Sequence, residues 1–186
     1  MYLTITIIII LAIVLIFTWV VFNQLVTARE SVHEALAGID VQLKKRFELI
    51  PRLVEIVKGY SNYEADTLEK VTSMRSLSER DATENDMLQK EKEDAGLNLV
   101  SRSIKVTVED YPELKANEHF LELMKELSSV EDELAMSRRY LNGTIRDYNT
   151  KIGVFPNVLL AGPFGFKERP FYEIDSFERE PHKIFE

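Results

Sequence analysis

The chain contains no cysteine. That excludes a disulfide framework, a thiolate nucleophile and any cysteine-based metal centre. Glycine and proline are sparse, 7 and 6 in 186 residues, so a loop-rich fold or a low-complexity linker architecture is not expected. Charge is missing from one place in particular. Met1 to Phe22 reads MYLTITIIIILAIVLIFTWVVF without a single charged side chain, and all 23 basic and 31 acidic residues follow it. The net charge of −8 argues against a nucleic-acid partner and against broad adhesion to anionic headgroups.

An apolar run of 22 residues at about 1.5 Å per residue spans roughly 33 Å, enough for a hydrocarbon core of about 30 Å. Tyr2 and Trp19 stand near its two ends, where amphipathic rings settle at the interface. A buried core helix of this length would carry polar residues at regular intervals. A cleaved signal peptide, with Val26 and Ala28 before the cut, would need a basic leader and a shorter apolar core. Residues 1–22 are therefore expected to be a retained transmembrane anchor with the lipid bilayer as partner. Arg29, Lys44, Lys45 and Arg46 follow the span and no basic residue precedes it, so the positive-inside rule puts the soluble part on the cytoplasmic side.

Beyond the anchor the hydrophobic period is helical. Leu36, Ile39, Leu43, Phe47, Ile50, Val54 and Val57 step by three or four, and no Gly or Pro cluster separates them from the anchor. The transmembrane helix is expected to run on into the soluble domain, with a kink or break at Pro51. Residues 61–96 carry 10 acidic and 5 basic side chains. Within them the stretch 78–94, helical by propensity, reads as a solvated helical hairpin tip or flexible loop, the alternative being an acidic docking site for a basic partner. Leu97, Val100, Ile104 and Val108 resume a helical stripe that Tyr111-Pro112 ends; Ile104, Val106 and Val108 alone would also suit a strand, but their neighbours favour helix. The longest stripe runs from Phe120 through Leu127, Leu134, Leu141, Ile145 and Tyr148 to Ile152, with Asn117 as its N-cap and Gly153 with Pro156 as its stop. A narrow stripe on so long a helix implies lengthwise packing with coiled-coil-like crossing.

The stripe weakens at Ser137 and Arg138. Asp40 and Lys44, with Gln42, Lys45, Arg46 and Glu48, crowd the first soluble helix, and Arg146, Asp147 and Asn149 bracket Tyr148 on the last. If those helices pack, Asp40 or Glu48 would pair with Arg138 or Arg146 at the core edge and set the register. The segment from Phe155 to Tyr172 is aromatic and aperiodic. Phe155, Phe164, Phe166, Phe171 and Tyr172 are expected to wrap the bundle and complete its core, or else to rest on the membrane interface or a partner. Residues 174–186 read as a flexible tail.

No catalytic constellation is present. His33, His119 and His182 form no ligand pair, and no nucleophile elbow or phosphate-binding glycine loop occurs. Acidic pairs such as Glu131–Asp132 are flanked by Lys and Arg and read as solvated ion pairs worth under about 1 kcal/mol. No cofactor, metal or enzymatic activity is expected; a hydrolase would lose activity on substitution of Glu48 or Asp147.

Four stretches carry a family resemblance: DVQLKKRFELIPRLVEIVKGY (Asp40–Tyr60), YPELKANEHFLELMKEL (Tyr111–Leu127), RDYNTKI (Arg146–Ile152) and FGFKERPFYE (Phe164–Glu173). In this order, behind an N-terminal anchor, they resemble the LemA family of bacterial membrane proteins. The resemblance implies an up-and-down helical bundle on a membrane anchor, no cofactor, and a role in envelope maintenance or membrane organisation. The expected architecture is thus all-α: a transmembrane helix at 1–22 continuing into an antiparallel up-and-down bundle of three to four long helices over 23–153, then an irregular aromatic tail over 154–173. Two functions fit. The first is a self-associating scaffold, a homo-oligomer whose copies stand parallel in the bacterial cytoplasmic (inner) membrane. The second is an adaptor that recruits another envelope protein, such as a membrane protease, through residues 78–96 or the aromatic tail.

Overall fold

A computed structural model describes residues 1–60 and 86–173. Among them every regular element is helical: α1 (Tyr2–Lys58), α2 (Asp86–Asp110), α3 (Pro112–Lys115), α4 (Glu118–Gly153) and α5 (Val158–Ala161). The expectations for residues 61–85 and 174–186 lie outside the described residues.

The apolar anchor and the first soluble stripe form one helix of 57 residues. It continues through Pro51 rather than breaking there. Proline removes one backbone donor, but Ile50, Leu53, Val54 and Val57 are all fully buried around it, and each such side chain contributes about 1.5–3 kcal/mol by leaving water. Packing outweighs the lost hydrogen bond. Helix α2 ends before the Tyr111–Pro112 step and α4 ends at Gly153, as their breakers predict. Asn117 caps α4, its Oδ1 accepting the Phe120 amide at 3.0 Å, which satisfies one of the orphan donors of the first turn.

One expectation is overturned. Residues 86–94, read as part of a solvated helical tip or flexible loop, are helical within α2 but not solvated throughout: Lys90, Glu93 and Asp94 are buried. A charge run hides a core position when the charges face one another rather than water.

The chain divides into two compact units, Met1–Leu36 with Arg139–Phe171, and Ala37–Arg138 with Tyr172–Glu186. In the first, Leu25, Ala28, Val32 and Ala35 of α1 are buried with Leu141, Ile145, Tyr148 and Ile152 of α4. The irregular chain after α5 is tied down by Asn149, whose side chain accepts the Arg169 amide at 3.0 Å and donates to the Arg169 carbonyl at 2.9 Å. The Tyr148 hydroxyl donates to the Lys167 carbonyl at 3.0 Å, and Arg169 Nη2 donates to His33 Nε2 at 2.8 Å. Phe166 turns back so that its amide reaches the Ala161 carbonyl at 2.9 Å, through Gly165 at φ +76°, a left-handed conformation that side chains disfavour. Residues 2–20 of α1 remain bare among the described residues: the apolar window there is 6% buried, and the helix is long and apolar enough to cross a membrane.

In the second unit, Lys45 meets Glu133 at 3.0 Å and Tyr60 meets Asn117 at 3.2 Å, so α1 and α4 run antiparallel. Lys105 meets Glu131 at 3.0 Å and Arg138 meets Asp94, so α2 and α4 also run antiparallel. Asp40 with Lys90 and Arg46 with Asp94 make α1 and α2 parallel, the relation of alternate helices in an up-and-down bundle.

Candidate functional site

The second unit holds a polar layer where an apolar one is the rule. On α1, Ile39, Leu43, Arg46, Ile50, Leu53 and Val57 step alternately by four and three. On α2 the steps run Met87, Lys90, Asp94, Leu97, Ser101 and Ile104. On α4, Glu131, Arg138 and Ile145 are one heptad apart. Heptad spacing keeps a residue on the seam between helices, so Arg46, Asp94 and Arg138 are delivered to the core by register. Their side chains are 0%, 6% and 8% exposed.

Asp94 is the hub. Its Oδ1 accepts from Arg46 Nη1 at 2.8 Å. Its Oδ2 accepts from Arg138 Nη2 and from the Tyr172 hydroxyl at 3.2 Å. Arg46 Nη2 also donates to Asn98 Oδ1 at 2.8 Å and Ser101 Oγ at 3.3 Å, with Glu131 at 3.8 Å. Burial lowers the Arg46 pKa, opposed by the carboxylates of Asp94 and Glu131. Burial raises the Tyr172 pKa, and the Asp94 charge raises it further. Two guanidinium groups thus share one carboxylate, with Glu131 at the margin. Gln42 Oε1 and Arg46 Nε have no hydrogen-bond partner among the described residues.

A cleft of about 210 Å³ opens beside the layer, lined by Arg46, Asn98, Ser101, Arg102, Lys105 and Arg138 among others. It lies below the roughly 300–1,000 Å³ of ordinary ligand pockets. Its lining is rich in cationic donors, with the Glu131 carboxylate among them. Ser101 faces a guanidinium, which cannot take a proton from its hydroxyl, so no nucleophile–base pair is assembled there. Asp94 already accepts three donors. Among the described residues no group of three or more His, Asp or Glu is placed to hold a metal. What the layer can do is choose a register: slipping one helix past another would leave a buried charge unpaired.

The residues singled out in the sequence are distributed as follows. Arg138 is in the layer, but the carboxylate it meets is Asp94 of α2, not one on α1. Asp40 pairs with Lys90 of α2. Glu48 is exposed, and Arg146 is exposed beside Asp147 at 3.3 Å. Tyr2 and Trp19 are exposed on the bare part of α1. The aromatic segment splits: Phe166 and Tyr172 are buried, whereas Phe155, Phe164 and Phe171 are exposed. Sequence reasoning passed over Asp94 as a core residue and named Arg46 only within the polar cluster of the first soluble helix, without a partner. Extending the Leu97–Ile104 stripe backwards by three and four lands on Asp94 and Lys90, which was the available signal.

Comparison with known proteins places this geometry in a family. The chain matches the family model described as LemA family over residues 35–185. It is also similar to Protein LemA of Metamycoplasma hominis, 25% identical over 158 residues, covering 84% of this chain and 71% of the relative.

Proposed function

Since the chain belongs to the LemA family, we propose that it is a non-enzymatic, membrane-anchored helical scaffold that self-associates in the bacterial inner membrane. The observation that carries this reading is the bare apolar stretch of α1 running without interruption into buried core positions of the same helix. One element serves as anchor and as structural member, so copies sharing a bilayer stand in one orientation and meet laterally. The polar layer supports it, because it lets each chain close its own helices in a single register. The basic residues Arg29, Lys44, Lys45 and Arg46 favour the cytoplasmic side for the soluble part.

Cross-linking the full chain in native-like membranes, followed by sizing of the detergent-extracted particle, tests self-association. Discrete oligomers are expected; a strictly monomeric particle at membrane-like concentrations sinks the scaffold. Orientation is read by labelling: the chain lacks cysteine, so Tyr140→Cys, at a 60% exposed position, reports its side of the membrane to an impermeant thiol reagent. The adaptor reading through an acidic tip loses ground in α2, where Lys90, Glu93 and Asp94 are buried instead of offered to a partner.

A further inference from the structure

The stretch Val154–Phe166 contains no charged residue. Its residues Val154, Phe155, Val158 and Leu159 are 45%, 79%, 47% and 64% exposed. They stand close together along the chain, in a turn that closes with the Val158 amide on the Val154 carbonyl at 2.9 Å and in the short helix α5 that follows it. Ala161, at the end of that short helix, is buried. A face this apolar is unusual for a surface meeting water.

Its position says what covers it. Val21 is the first buried residue of α1. The bare stretch before it, from Tyr2, runs about 29 Å at 1.5 Å per residue, close to the roughly 30 Å of a hydrocarbon core. The next residue, Phe22, meets the ring of Phe164 at 5.1 Å and that of Phe166 at 5.8 Å, both edge-on. The aromatic segment is therefore the first layer of protein that the anchor meets on leaving the hydrocarbon. Exposed Lys151 and Lys167 flank it, and Arg29 lies 5.6 Å from the Phe166 ring centre. Apolar side chains at the hydrocarbon edge with cations just beyond them are the pattern of an interfacial element.

We propose that residues 154–164 form a membrane-interface foot, in which Val154, Phe155, Val158 and Leu159 enter the headgroup–acyl boundary of the leaflet that α1 leaves. This rests on α1 being a membrane anchor. The foot makes a second, shallow attachment beside the span, held to it through Phe22, Phe164 and Phe166. Any protein partner for these side chains would have to compete with lipid at the same depth.

The test uses single-tryptophan full-length chains in vesicles of phosphatidylethanolamine and phosphatidylglycerol. Trp19→Phe removes the only native indole, and three reporters are added to it one at a time: Ile9→Trp within the span, Leu159→Trp in the foot, and Tyr140→Trp on α4. Tyr140 lies 12 residues, about 18 Å along the helix, before Ile152. Lipids brominated deep in the acyl chain are expected to quench the Ile9→Trp reporter. Lipids brominated near the headgroup are expected to quench the Leu159→Trp reporter, with blue-shifted emission. The Tyr140→Trp reporter is expected to answer only to aqueous iodide. An anchor reporter quenched by lipid beside a foot reporter open to iodide overturns the foot and leaves the anchor standing. A foot reporter shielded from both lipid bromine and iodide also overturns it, since protein then covers the face. An anchor reporter untouched by brominated lipid removes the anchor reading and the foot with it.

Discussion

The two compact units have different interiors. In the unit built from Met1–Leu36 and Arg139–Phe171, the buried side chains are apolar or aromatic, from Val21 and Leu25 to Tyr148, Ala161 and Phe166. Polar groups there work at the margin, as Asn149 does on the backbone of Arg169. In the unit built from Ala37–Arg138 and Tyr172–Glu186, Arg46, Lys90, Glu93, Asp94, Ser101 and Arg138 are all buried. An apolar core gains stability from area and tolerates small slips. A core containing two arginines on one carboxylate gains little net energy, because desolvation offsets attraction, but it penalises every alternative pairing. The difference teaches a division of labour. The unit that contains the apolar anchor relies on hydrophobic burial, and the other relies on an ionic layer that specifies which helices meet and where.

That contrast can be broken experimentally. The largest effect is expected for Asp94→Ala, which strands two buried guanidinium groups and should cost about 3–5 kcal/mol in denaturant unfolding of the full chain in detergent. A loss under about 1 kcal/mol, the worth of an exposed pair, would mean the layer is wet and the contrast false. Replacing all three partners together, Arg46→Met, Asp94→Leu and Arg138→Met, should be neutral or stabilising by about 1–4 kcal/mol. The cost should appear instead as lost register, read as broadened or duplicated amide resonances. In the other unit, Asn149→Ala should cost about 1–3 kcal/mol by orphaning the Arg169 backbone groups, and proteolysis near Arg169 should increase.

Tyr172→Phe should cost about 1–2 kcal/mol through the lost bond to Asp94 and should also change the pH profile. Burial and the Asp94 charge hold the folded Tyr172 pKa above the ordinary value of about 10. The stability this contributes is complete below pH about 10 and falls as the unfolded chain ionises above it, so the phenylalanine variant should lose less stability at alkaline pH. The smallest effect is expected for Lys45→Ala, because its partner Glu133 is exposed. The bond to Lys45 lowers the Glu133 pKa, so whatever the pair contributes is present above the ordinary carboxylate pKa and fades as pH falls through the folded one. A stability change near that of Asp94→Ala would erase the distinction between rim and layer.

The long helices were legible because hydrophobic burial leaves a period: Leu127, Leu134, Leu141 and Tyr148 recur every seven residues on α4, and Asn117 and Gly153 mark its ends by backbone chemistry. The bare apolar stretch of α1 was legible from the absence of charge before Phe22. The ionic layer was not, because a buried Asp94 is written with the same letter as a solvated one. Its partners stand 44 to 78 residues away along the chain, so no local window contains the compensation. Arg138 left a trace where the stripe weakens, yet a weakening does not name the helix that supplies the carboxylate. Pro51 did not decide between a kink and a break, since a local rule about donors carries no knowledge of the four buried neighbours around it, and the helix is unbroken there. The aromatic segment has no period at all, so nothing in it separated Phe166 and Tyr172, which are buried, from Phe155 and Phe164, which are not.

The bond from Tyr172 to Asp94 has a consequence for biosynthesis. Translation delivers Asp94 well before Arg138, and Tyr172 last of all, after the whole of Arg139–Phe171 has been made. While Arg139–Phe171 is being made, the carboxylate has Arg46 and Arg138 but not Tyr172 among its three side-chain partners. The ionic layer therefore lacks one of its three donors until the chain has been made through Tyr172, 78 residues after Asp94, so a chain truncated just before Tyr172 is expected to hold that layer incomplete.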